Sequence, residues 1–170
     1  RDHASERYRI YTTALAAVER EYVEAIEPAQ LVYGSIDGLL RTLEAADLTA
    51  LLRCLVTTAD DLALAHALRS PVLGASDDDL MCLAGRAEPN WWQRLQTSVG
   101  EGRASPVLAR AAQLLESWRE MAARLPVHDL LDRIYHEGDL VVRYRAAVPA
   151  ALWLGVAANL EAFVALALRL

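Results

Sequence analysis

Apolar positions recur every three or four residues along most of the chain, which is the spacing of one helix face rather than the alternation of a strand. Tyr8, Tyr11, Ala14, Leu15 and Val18 predict an amphipathic helix over 5–20. The acidic stretch that follows contains Pro28 and ends at the Gly34 to Gly38 turn signal. Leu39, Leu40 and Leu43 predict a short helical turn, after which Asp47 caps a helix carrying Leu48, Leu51, Leu52 and Leu55. Asp60 and Asp61 open another, with Leu62, Leu64, Ala65 and Leu68 on it, and Pro71 stops it.

Ser76 followed by three aspartates predicts an N-cap with acids in the first turn, leading Leu80, Met81 and Leu83 into a helix that ends near Gly85. Trp91 and Trp92 start a further short helix after Pro89-Asn90. The clearest pattern begins at Ser105-Pro106. Val107, Leu108, Ala111, Leu114, Leu115, Trp118, Met121 and Ala122 form one stripe, with Arg110, Glu116, Arg119 and Glu120 largely opposite. Pro126 sits in the first turn of the next helix, which buries Val127, Leu130, Leu131, Ile134 and Tyr135 and takes Gly138 as its C-terminal cap. Residues 139–148 read as an extended piece, and Pro149 opens a final helix through Ala167. The expected fold is all-α, an irregular multi-helix bundle.

Composition agrees, because the 170 residues are 54% hydrophobic with Ala and Leu dominant, while strand-favouring aromatics make up only 6%. That size suits one domain spanning 1–170, and the missing initiator Met and the helical pattern reaching Leu170 suggest a piece cut from a longer protein. All 17 basic residues are Arg. Without Lys, neither a Walker-type phosphate loop nor lysine Schiff-base chemistry is available. The net charge of −6 also argues against a free-standing nucleic-acid binder, although residues 140–170 carry three Arg against one acid. Cys54 and Cys82 lack C-x-x-C partners and read as buried free thiols of a reducing compartment, the cytoplasm. Residues 146–168 are apolar enough to suggest a membrane span, but Asn159 and Glu161 would sit inside it, Glu161 alone costing ~2.5 kcal/mol or more. A helix buried on most sides of the bundle is the preferred reading, with no membrane contact.

Few residues suggest chemistry. His128, Asp132 and His136 share a helical side at four-residue spacing, which could clasp a transition metal, but the third drifts round the helix and Arg133 crowds it, so a solvated face is preferred. Gly100 to Ser105 lacks the third glycine of a phosphate cradle, and His66 reads as a helix residue rather than a base. No catalytic centre assembles, and neither a metal nor a cofactor is expected for this chain. The candidate DNA-binding residues are Arg143, Tyr144 and Arg145, where two guanidinium groups flank a phenol that could stack on an unpaired base. In the competing reading the two arginines pair with Glu137 or Asp139.

Leu39 to Leu52 resembles the start of subdomain 2B in UvrD-like helicases of the RecB and AddA branch, the exodeoxyribonuclease V beta type. Asp60-Asp61-Leu62-Ala63-Leu64, Leu68-Arg69-Ser70-Pro71-Val72-Leu73-Gly74 and Ser76-Asp77-Asp78-Asp79-Leu80 are similar to that branch's D-D-x-A-L…L-R-S-P-L-F-G-x-S-D-x-x-L pattern. Trp118-Arg119 with Pro126 to Leu131 resembles its W-R…P-x-x-x-L-L helix pair, and Ala158-Asn159-Leu160 the N-L helix that follows. The resemblance covers 36–84 and 105–168 and leaves 1–35 outside. It implies a non-catalytic accessory subdomain of an ATP-dependent DNA helicase/exonuclease of double-strand-break repair. Its implied partners are duplex DNA, the motor lobes and a partner subunit, with ATP and Mg²⁺ confined to the motor lobes of the parent. The alternative is a helical protein–protein interaction module.

Overall fold

The computed structural model describes Leu39 and residues 42–167, and within them the chain forms eight α-helices and no strand. The helix predicted over 5–20 lies outside the described residues. The helices are α1 (Leu43–Val56), α2 (Asp61–Arg69), α3 (Asp77–Ala84), α4 (Trp91–Gly100), α5 (Pro106–Ala122), α6 (Val127–Glu137), α7 (Leu140–Ala147) and α8 (Trp153–Ala167), with a 3-10 turn at Ala150–Leu152 before α8.

Four of these helices start where a side chain caps them. Asp60 accepts from the Ala63 amide at 3.0 Å, Asn90 from Gln93 at 2.9 Å and Ser105 from Leu108 at 3.2 Å. Ser76 and Asp79 exchange bonds as a full capping box, which accounts for the acidic start of α3. α1 starts at Leu43, one turn earlier than predicted. Glu44-Ala45-Ala46 already favour helix, and the Asp47 carboxylate is used elsewhere.

The core is shared by all eight helices. Trp118 is fully buried, and its indole N–H donates to Glu137 Oε2 at 2.8 Å. Around it lie Leu48, Leu64, Leu115, Leu131 and Ile134. α1 lies against α2, α5 and α8, and α6 against α5, α7 and α8. The connection between α2 and α3 is packed into this core: Val72, Leu73 and Ala75 are buried, while Gly74 turns outward at φ +74°.

Two expectations are corrected. Residues 139–148 are helical over Leu140–Ala147, because Leu140 and Tyr144, four residues apart, both insert into the core. Asp139 takes the left-handed conformation at φ +52°, which turns the chain sharply from α6 into α7 with no extended piece between them. α8, expected to be buried on most sides, buries only Leu160, Phe163, Leu166 and Ala167. It lies across α1 and α6 at the edge of the bundle and leaves Leu154 81% exposed. The stretch Ala150–Ala167 is long and apolar enough to cross a membrane by length and composition.

Candidate nucleic-acid interface

α7 carries the three residues that the sequence singles out, and the helix sends them in different directions. Residues one or two apart in a helix do not share a face. Tyr144 points inward and is 2% exposed, so its ring is committed to the core and offers no surface on which a base could stack. Arg145 is exposed and Arg143 is half-buried. The competing expectation, that these arginines pair with Glu137 or Asp139, is also not met among the described residues, where neither acid forms an ion pair with them. One Glu137 oxygen accepts from Trp118 and the other from Arg133 Nη1 at 3.2 Å.

The Tyr144 hydroxyl donates to Asp47 Oδ2 at 2.8 Å, while Asp47 Oδ1 lies 2.8 Å from His66 Nε2. One turn before Asp47, the buried Glu44 accepts from Asn159 Nδ2 at 2.5 Å. Burial raises the Asp47 carboxyl above its ordinary range, against the opposing pull of the Tyr144 and His66 hydrogen bonds. Burial, and then Asp47 itself, raises the Tyr144 phenol far above its usual value. Both Asp47 oxygens are engaged, so this Tyr-Asp-His chain fastens α7 and α2 to α1. Sequence reasoning missed the cluster because its members lie 19 and 97 positions from Asp47.

Arg143 runs back toward the loop between α2 and α3. A Cβ at Gly74 would stand 3.6 Å from Arg143 Nη1, so this guanidinium rests against the exposed glycine. Arg110, from α5, reaches the same loop and donates through Nη1 to the Val72 carbonyl at 3.1 Å. Burial first, and the neighbouring Arg143 charge second, lower the pKa of Arg110, with Asp139 pulling the other way. Nothing local in the sequence announces that Arg110 joins Arg143, since it reads there as one of several charges on the outer face of a long helix.

The remaining candidates do not assemble. His128 turns to Asp129 at 2.8 Å, while His136 lies 3.4 Å from Asp132. Among the described residues, no group of three or more His, Cys, Asp or Glu could hold a metal ion. Gly102 makes a left-handed turn between α4 and α5 with nothing packed on it. Cys54 is buried, and burial pushes its thiol up to about 12, whereas Cys82 is exposed and corrects the expectation of two buried thiols.

The described residues thus form an all-helical fold with exposed and half-buried arginines. No family model matches the chain. Curated relatives do, and they are helicase/nuclease proteins. The exonuclease/helicase subunit RexA of Lactococcus lactis subsp. cremoris is 27% identical over 121 residues, 65% of this chain and 10% of its own length. An ATP-dependent helicase/nuclease subunit from Enterococcus faecalis is 29% identical over 102 residues, 55% of this chain and 8% of its own. The chain therefore spans about a tenth of the length of these relatives. The similarity runs to the class of protein that the 36–84 and 105–168 segments resemble.

Proposed function

We propose that the chain is the subdomain 2B portion of an ATP-dependent helicase/nuclease of DNA repair, working in the cytoplasm. In this role it performs no reaction of its own. It touches duplex DNA through α7 arginines and packs on the motor lobes, where ATP and Mg²⁺ act. The single observation carrying this reading is the similarity to helicase/nuclease proteins over 65% of the chain. The motif of highest specificity, Leu68 to Gly74, supports it further, because it folds into the loop against which Arg143 rests.

The charge balance sets how the contact works. A chain of net charge −6 repels DNA at long range, so a few guanidinium contacts hold a duplex only weakly on their own. Held beside a motor that already grips the strand, the same contacts orient the incoming duplex at little cost in affinity. A forked duplex titrated into the 170-residue chain tests this. Weak binding is expected at ~50 mM salt, falling at least ~10-fold by ~200 mM if two phosphates are neutralised. No binding at the lower salt sinks the reading.

A second reading, a helical protein-interaction module, is favoured by one observation. Leu152, Leu154 and Val142 are exposed around the start of α8. Under the first reading this apolar surface meets the motor lobes, whereas under the second it meets a separate chain. A pull-down run beside the duplex titration separates the two, since the second reading requires a protein partner in the absence of any DNA affinity.

A further inference from the structure

We propose that Arg110 and Arg143 form a two-guanidinium site for a phosphate oxyanion at the Pro71–Gly74 loop. Resting on the reading above, the oxyanion is one phosphate of a DNA backbone.

Three features carry the proposal. The first is an unmet donor. Arg143 Nε is buried without a hydrogen-bond partner, although a buried donor on a charged group ordinarily finds an acceptor. The second is uncompensated charge. Arg110 and Arg143, 33 positions apart in sequence, come from different helices and act on each other as like charges, and among the described residues no carboxylate forms an ion pair with either. Arg110 spends one N–H on the Val72 carbonyl, a neutral acceptor that cancels no charge. Asp139 acts on Arg110 only at longer range, and two cations against one acid leave the cluster positive. The third is access. Gly74 is exposed and Arg143 is only half-buried, its Nη1 lying at an ordinary contact distance of 3.6 Å from where a Gly74 Cβ would stand.

A tetrahedral oxyanion suits this pair better than a lone carboxylate. Guanidinium donors form a planar fork, and two forks from different helices can each take an unesterified oxygen of one phosphodiester. Such a ligand would relieve the repulsion between the two cations. The site is independent of Arg145, which stands on another side of α7.

The experiment follows the arginine Nε–H signals of the isotope-labelled 170-residue chain by NMR during titration with a forked duplex and, separately, with inorganic phosphate. Arg143→Gln and Arg110→Gln serve as binding variants, and Arg143→Lys keeps the charge while removing the fork and the Nε donor. Thermal melts confirm that each variant folds. The expected result is a shift of the Arg143 Nε–H signal with both titrants, weaker duplex binding in each Gln variant, and a log–log salt slope shallower by ~0.9 in the double Gln variant, where the phosphate loses both cations. Arg143→Lys should keep the wild-type slope but weaken binding, which a purely structural role for Arg143 would not produce. A response to phosphate without duplex binding upholds the anion site and removes the DNA reading. Duplex binding with a silent Arg143 signal and unchanged slopes overturns the site and leaves the DNA reading standing. Silence toward both titrants overturns both.

Discussion

The hydroxyl of Tyr144 is a small group with a large structural task, since it satisfies a partly buried carboxylate on a helix 97 residues away in sequence. Replacing Tyr144 with Phe leaves Asp47 Oδ2 without its donor while keeping the ring, so a loss of ~1–2 kcal/mol is expected in the denaturant midpoint. The same variant changes the response to alkali. Because burial and Asp47 raise the Tyr144 pKa above its ordinary 10, the folded chain holds this proton more tightly than the unfolded chain does. Its contribution is therefore complete below pH ~10 and lost as pH climbs beyond that. The stability gap between wild type and Tyr144→Phe should narrow progressively above pH ~10, and a constant gap in denaturant titrations at pH ~8 and ~11 would contradict the assignment.

Among the elements, those with local stop and start signals were legible in the sequence. Ser76 caps α3 as expected, α4 and α5 begin just after Asn90 and Ser105 where the sequence placed their starts, and Pro71 ends α2 because the residue before a proline is pushed out of the helical region, as Ser70 is at ψ 156°. α7 was not legible. Val141, Val142 and Tyr144 favour extended backbone by propensity, and only the insertion of Leu140 and Tyr144 into a core built by distant residues makes that stretch helical. The same reason hides the arginine pair, because the partners meet only once α5 and α7 have packed. Gly138 is legible as a boundary but not for its cause. It is right-handed at φ −80°, and a Cβ there would come 2.6 Å from the Ile134 carbonyl oxygen and 2.8 Å from Leu140 Cδ1. Gly138→Ala should therefore lower stability by ~1–3 kcal/mol, read as a lower melting temperature with little change in helix content. An unchanged melt would mean that the α6–α7 joint yields freely.

Across the whole molecule, the charges and the apolar surface divide the work. Among the described residues the outer side of α8 is left exposed, and under the proposed reading that surface meets the motor lobes. Leu154→Glu should leave the melting of the chain within ~0.5 kcal/mol, because the side chain is 81% exposed, while, under the proposed reading, weakening co-purification with the motor lobes. Equal co-purification of variant and wild type would remove α8 from the docking surface. Glu44 and Asp47, one turn apart on α1, wait for Asn159 and Tyr144, which reach them from 115 and 97 residues downstream. A nascent chain emerging from the ribosome in order must therefore hold α1 with its two acids hydrated and its α5- and α8-facing side uncovered while α2 already packs against it. Only when α8 clears the exit tunnel can the bundle close, so synthesis of this segment is a period of exposure that ends all at once.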